Sequence, residues 1–275
     1  HSSLLNLREL NLLPENYRRY EASFRKPYGM VLVTGPTGSG KSTTLYATLN
    51  EISNTTVNTV TVEDPVEYQI PGISQVPINP RAGLTFPGAL RSILRQDPDI
   101  VLVGEMRDLE TAQIGTQAAL TGHLVLTTLH TNDAPSAVTR LTEMGIDGFL
   151  VASAVDCVLA QRLGRRLCVH CRQPHQLDRS ELENLGMDLD GDGSPTLYRP
   201  AGCARCAQSG YRGRLAFHEV MPVTEEIARA IVERASTAEV TQLARAQGMR
   251  TLRQDALEKV RSGDTSLEEV ARVIV

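Results

Sequence analysis

The sequence predicts an α/β fold built on a mostly parallel sheet, with a small cysteine-bearing module and a C-terminal helical subdomain attached. Short apolar runs rich in Val and Ile, at 30–34, 59–62, 100–103 and 124–127, alternate with stretches of helical length at 42–52, 89–95, 109–120 and 134–144. Parallel strands are buried on both faces and need a crossover to reach the next strand, so unbroken apolar runs separated by helices are their signature. A third observation closes the pattern: after residue 164 the chain becomes rich in Gly, Pro, Asp and Cys, and from 215 it turns helical again.

The elements follow in order. Residues 1–28, helical at 4–12 and 15–25 around the break at Pro14, read as a polar lead-in rather than as core. The apolar stretch 148–163 is expected to be a helix buried against the sheet. Residues 164–214 read as loops, and 215–221 as a strand. Four amphipathic helices then follow at 225–233, 237–247, 252–262 and 266–274, each opened by a Thr, Ser or Asp able to cap it. The expected organisation is a lead-in at 1–28, an α/β core at 29–165, a cysteine module at 166–214 and a helical subdomain at 215–275.

The 275 residues carry 28 Lys and Arg against 32 Asp and Glu, a net charge of -4, with 41% hydrophobic residues. That composition excludes disordered, collagen-like and coiled-coil chains. Mild acidity argues against the nucleic-acid backbone as a main partner, since phosphate binding needs a clustered basic excess. No run reaches the roughly 18 apolar residues of a membrane span, the longest candidate, 148–160, being interrupted by Asp156. No secretory leader is recognisable, and the opening His1-Ser2-Ser3 without Met reads as a fragment boundary, with part of a longer protein expected before it.

Between the first strand and its helix lies Gly35-Pro36-Thr37-Gly38-Ser39-Gly40-Lys41-Ser42-Thr43, which fits Gly-x4-Gly-Lys-Ser. Glycines allow backbone N–H groups to turn inward as an anion nest at a helix N-terminus. Lys41 would reach the terminal phosphates of ATP, and the Ser42 hydroxyl would ligate Mg²⁺. Two further strands end in carboxylates, Glu63 after 59–62 and Glu105 after 100–103. Ligands of open parallel sheets sit at the carboxyl ends of strands, so both acids should face the phosphates. Glu105 is placed to hold Mg²⁺ through water and Glu63 to polarise the attacking water, although the roles are exchangeable. Asp108 and Glu67 read instead as helix caps. His123 and His130 bracket the fourth strand, where a histidine could donate to the terminal phosphate.

The five cysteines form one isolated residue, Cys157, and two C-x2-C pairs, Cys168/Cys171 and Cys203/Cys206, separated by 31 residues. An odd total is not a disulfide framework. Four soft thiolates select tetrahedral Zn²⁺ and leave no open position, so a zinc there would be structural; unliganded thiols are the alternative. Cys157 reads as packing, and His170 and His175 as exposed spares. The turn Asp188-Leu189-Asp190-Gly191-Asp192-Gly193 imitates a calcium loop but has Arg199 where a bidentate Glu is needed, and reads as a solvated acidic turn. Arg162, Arg165 and Arg166 lack interleaved aromatics and read as a subunit contact or phosphate edge rather than a nucleic-acid patch, with a plain solvated face as the alternative.

With these motifs in this order the chain resembles the secretion ATPase superfamily of type II secretion and type IV pilus systems. The resemblance rests on the P-loop, an acidic box at 61–68, Gly104-Glu105-Met106-Arg107-Asp108, the histidine box at 121–134, and the linking stretches 79–86 and 94–99. It implies a RecA-like P-loop ATPase core, a homo-hexameric ring, a cytoplasmic position, and work on an inner-membrane platform protein. It implies no direct nucleic-acid partner, and contact with the membrane only through partners. The paired cysteines, with Gly210-Tyr211-Arg212-Gly213-Arg214, resemble the assembly and secretion motors rather than the retraction motors. The family's preceding domain supplies arginines to bound nucleotide, a role that no residue of this chain can inherit; a fragment fully active without that domain would require a residue such as Arg81, Arg107 or Arg162 to do that work. A RecA-like nucleic-acid motor and a zinc module with a vestigial nucleotide site are the competing readings.

Overall fold

The computed structural model describes residues 6–187, 189 and 194–274. The imitation calcium loop therefore lies, apart from Leu189, outside the described residues.

The order of elements begins with α1 (Pro14–Phe24), β1 (Gly29–Thr34), α2 (Lys41–Ile52), β2 (Thr59–Glu63) and β3 (Ser74–Pro77). There follow α3 (Phe86–Leu94), β4 (Ile100–Val103), α4 (Leu109–Leu120), β5 (Leu124–Leu129), α5 (Ala134–Glu143), α6 (Gly148–Ala154) and β6 (Val155–Leu167). The remainder is β7 (Gln173–His175), α7 (Arg179–Asn184), β8 (Leu197–Arg199), β9 (Tyr211–Pro222), α8 (Glu225–Val232), α9 (Thr237–Ala246), α10 (Leu252–Arg261) and α11 (Leu267–Val273). The main sheet has seven strands in the order β3-β2-β4-β5-β1-β6-β9. Every pair from β3 through to β6 is parallel. β1, β2, β4 and β5 are buried along their whole length, as strands covered on both faces are, with Thr59 and Thr61 of β2 buried beside its valines.

Two expectations are corrected. The apolar stretch 148–163 is not one helix: α6 stops at Ala154 and the chain continues as β6. A short continuous apolar run suits a buried strand as well as a buried helix. Here β1 offers an open edge, and pairing from Met30 with Val155 to Thr34 with Ala160 satisfies its backbone groups. The lead-in is also core. Leu7, Tyr20 and Phe24 are at most 1% exposed and pack in one cluster with residues of β1 and α2. Tyr20 and Phe24 stand four apart on one face of α1, their rings edge-on at 4.9 Å, and the Tyr20 hydroxyl meets Thr48 Oγ1 at 2.7 Å. A buried tyrosine needs such a partner for its hydroxyl.

The chain divides into two compact units. The first runs to Gln161 and takes in Val220–Met249; the second comprises Arg162–Glu219 and the residues from Arg250 onward. This partition differs from the one expected: α8 and α9 go with the sheet, where they pack on α6 and α5, while α10 and α11 go with the cysteines.

In the second unit β7 and β8 form an antiparallel pair within the stretch expected to be loops. Gly164 is backed by Phe217, whose ring a Cβ would meet at 2.6 Å. Lys259 Nζ donates to Asp255 Oδ2 at 2.7 Å and to the Ala216 carbonyl at 2.6 Å, a buried ion pair with its hydrogen bonds made. Glu269, fully buried, is gripped by Arg165 through Nε at 2.9 Å, Nη2 at 2.7 Å and the backbone N–H at 2.8 Å, and by Arg272 from its own helix. Arg165 also lies over the Tyr211 ring at 4.1 Å, and Arg166 pairs with Asp264 at 2.8 Å. Arg165 and Arg166 thus brace their own unit.

Burial pushes the Glu269 carboxyl up, but the Arg272 and Arg165 guanidiniums and the Arg165 N–H outweigh it and hold the group at about 2, against an ordinary 4.5. A carboxyl depressed on folding stabilises the native state above its unfolded pKa and loses that contribution as pH falls through the folded value. The stability of this unit should therefore decline between about pH 4.5 and 2. Glu269→Gln should be less stable at pH 7 and lose that part of the acid sensitivity, as read by thermal melts across the range; an unchanged pH slope would refute the assignment.

Candidate active site and metal centre

Because β1, β2, β4 and β5 are parallel neighbours, their carboxyl ends lie along one edge of the sheet. The loop after β1 turns sharply there, with φ of +153°, +79° and +86° at Gly35, Gly38 and Gly40, values that side chains disfavour. It delivers the chain to the N-terminus of α2, which has no side-chain cap and, as the positive end of a helix, favours an anion. Lys41 Nζ folds back over the loop, 2.9 Å from each of the Gly35 and Pro36 carbonyls.

A cleft of about 490 Å³ opens beside this loop, lined by Thr37, Gly38, Gly40, Lys41, Ser42 and Thr43 from the loop and α2. Glu63, Glu105 and His130 line its other side. The two carboxylates differ. Glu63 is 4% exposed and accepts from Tyr46 at Oε1, and from Thr61 at 2.5 Å and Gln75 at 3.2 Å at Oε2. Glu105 is more open, with Arg107 Nε 2.7 Å and His130 Nε2 3.8 Å from its Oε2. The strand ends are locked together: Gly104 N–H donates to Val62 O at 2.8 Å, and Thr128 Oγ1 to Gly104 O at 2.6 Å.

His123 stands apart and does not join His130. It precedes β5, at the amino-terminal edge of the sheet, with six strand residues between it and the cleft edge. Its Nδ1 lies 3.1 Å from the Ala118 carbonyl at the end of α4, a scaffold contact. Asp108 caps α4 through Thr111 N–H at 2.8 Å, as its position suggests. Glu67 caps no helix; it lines the cleft, and its N–H donates to the Tyr46 hydroxyl at 3.3 Å.

The four paired cysteines come together in the second unit, with all sulfurs within 4.8 Å of one another. Cys168 and Cys203 are 3.9 Å apart, Cys171 and Cys206 3.8 Å, and Cys203 and Cys206 3.7 Å. A tetrahedron with zinc–sulfur bonds of about 2.3 Å has edges of about 3.8 Å, whereas a disulfide needs about 2.05 Å. The backbone N–H groups of Cys203 and Gly210 both donate to Cys206 Sγ at 3.2 Å. Burial pushes this thiol up, but these donors outweigh it and bring it down to about 6, while burial sends Cys171 up to about 11. The donor set thus suits a thiophilic cation. His170 is taken up by Arg205, and Cys157 is buried in β6, its thiol pushed to about 12 by burial. Neither joins the cluster.

Residues 1–272 match the model of the type II/IV secretion system protein family. The chain belongs to this family. It is 51% identical over 274 residues to the type IV pilus assembly ATPase PilB of Thermus thermophilus, covering 99% of this chain and 31% of that protein. It is 51% identical over 269 residues to the type II secretion system protein HxcR of Pseudomonas aeruginosa, covering 98% and 53%. The chain thus spans a third to a half of the length of these family members. The solved structure of the pilus retraction motor PilT with bound ADP superposes with a TM-score of 0.73 at 26% identity, over 99% of this chain and 67% of that one.

Two buried polar residues that bond to groups around the cleft, Tyr46 to Glu63 and Gln161 to Ser39 and Thr44, escaped sequence reasoning. Tyr46, one turn into α2, is signalled only by lying on the helix that starts at Lys41; burial, then its bond to Glu63, raises its pKa well above the ordinary value. Gln161 sits in the apolar run 157–163 as its one uncharged polar side chain, a signal hidden once that run is taken for a helix.

Proposed function

We propose that this chain is the ATP-hydrolysing part of a hexameric motor that drives pilus or pseudopilus assembly, in type IV pilus biogenesis or type II protein secretion. The observation that carries the reading is the meeting of the P-loop, Glu63, Glu105 and His130 on one cleft. Mg²⁺·ATP is the substrate. The loop N–H groups and Lys41 hold the terminal phosphates, and the Ser42 hydroxyl supplies a ligand to Mg²⁺. Glu105 is the better placed to take a proton from the attacking water, since Glu63 already accepts from Tyr46, Thr61 and Gln75 and acts as a fixed charge beside the metal's water shell. His130, close to Glu105, can donate to a phosphoryl oxygen as charge builds there.

The chain's 51% identity to a pilus assembly ATPase, against 26% to a retraction motor, and its four converging thiols support an assembly or secretion role. The thiols hold one structural Zn²⁺, with no coordination position left for catalysis. Work on an inner-membrane platform protein from the cytoplasmic side fits a chain in which no described helix is long and apolar enough to cross a membrane.

Three outcomes test this reading. Lys41→Ala should weaken ATP binding more than tenfold, because a charge-assisted phosphate contact is worth about 1.5–3 kcal/mol; a titration giving unchanged affinity would remove the P-loop assignment. In the full-length protein Glu105→Gln should keep nucleotide affinity while hydrolysis falls by about 10²–10⁴, the usual share of a general base. Protein purified without chelator should contain one zinc per chain. Cys203→Ser should loosen the cysteine-bearing unit to protease while the sheet unit stays resistant; metal analysis finding no zinc would refute the centre.

A further inference from the structure

We propose that Gln161 is a positioning residue for the phosphate-binding loop, acting through the Ser39 carbonyl; the proposal rests on the nucleotide reading of the cleft. β6 pairs with β1 as far as Thr34 and Ala160, and Gln161 is the next residue, level with the point where β1 gives way to the loop. The side chain is 1% exposed. Its Nε2 donates to Ser39 O at 2.7 Å, and its Oε1 accepts from Thr44 Oγ1 at 2.7 Å. One amide thus ties the far side of the loop to the first turn of α2. Its backbone matters too: a Cβ on Gly35 would come within 2.4 Å of the Gln161 carbonyl oxygen, so the loop lies directly on this residue.

The consequence follows from peptide geometry. In a planar trans peptide the carbonyl of one residue and the N–H of the next point in opposite directions. Holding the Ser39 carbonyl toward Gln161 therefore turns the Gly40 N–H the other way, and Gly40 lines the cleft. This peptide needs holding, because Gly40 sits at φ +86° and glycine gives the plane little resistance to rotation. The Ser39 hydroxyl, buried and without a hydrogen-bond partner, does not supply the restraint. Gln161 thereby preorganises an anion donor without touching the anion, and no loop motif contains it.

Gln161→Met keeps the length and volume of the side chain and deletes both hydrogen bonds. Gln161→Glu keeps an acceptor for Thr44 but, when ionised, cannot donate to Ser39. Thr44→Val leaves the Ser39 bond in place. ADP and ATP affinities should fall about tenfold in both Gln161 variants, the scale of one lost directional hydrogen bond, and less than threefold in Thr44→Val. In the full-length protein KM should rise while kcat at saturation changes less than twofold. Relative to wild type, the ADP affinity of Gln161→Glu should recover as pH falls from 8 to 6, because the protonated acid regains a donor for Ser39. A purely structural glutamine predicts lower melting temperatures with wild-type ADP affinity, and that result would overturn the proposal, as would an equal loss in Thr44→Val or no recovery with acid. If Gln161→Met does not fold, Gln161→Asn, whose amide is too short to span both partners, joins Gln161→Glu in the same titrations. Lys41→Ala separates the two readings: nucleotide affinity unchanged there sinks the nucleotide site itself, whereas loss there with none at Gln161 sinks only the positioning role.

Discussion

Parallel pairing of β1 with β5 on one side and β6 on the other is the constraint on which the candidate active site depends. A parallel sheet leaves all its carboxyl ends on one edge, where the last backbone groups of each strand have no further strand to bond. Here the edge groups bond across the sheet instead, from Gly104 to Val62 and from Thr128 to Gly104. The order β2-β4-β5-β1-β6 then brings a carboxylate from two strands, a histidine from a third and an amide from a fourth around the loop that follows β1. An antiparallel sheet of the same strands would divide these groups between opposite edges.

The second unit is held by different means. Its described core is modest, and polar groups are buried within it: Asp255 with Lys259, and Glu269 between two arginines. Desolvation offsets part of the attraction in such groups, whereas removing one partner leaves the other charge buried and unpaired. A cation on four thiolates would contribute binding free energy directly to folding, which suits a small unit. Donors at Cys206 prepare one sulfur for that role.

The likeness to a retraction motor and the closer identity to an assembly ATPase concern different levels of the molecule. Fold similarity at 26% identity reports the shared architecture of the sheet and the loop that follows β1. The four paired cysteines belong to the second of the two units.

Legible in the sequence alone were the glycine-rich loop before α2, the acidic strand ends and the paired cysteines. Each depends on residues close in the chain, whose spacing is itself the geometry: glycines around Lys41, a carboxylate closing an apolar run, two thiols three residues apart. It also placed the principal strands and helices on either side of the loop, because burial on both faces leaves an unbroken apolar run. Tertiary structure alone decided what 148–163 becomes, since an apolar run bonds equally well as a helix or beside an open strand edge, and β1 presents such an edge. It removed His123 from the cleft because a strand separates two histidines that sequence order makes neighbours. It made Tyr20 and Phe24 core by giving them α2 and β1 to pack on. It brought Gln161 to Ser39 across 122 residues, a contact with no local pattern, because hydrogen bonds between distant segments exist only once the sheet has set their register.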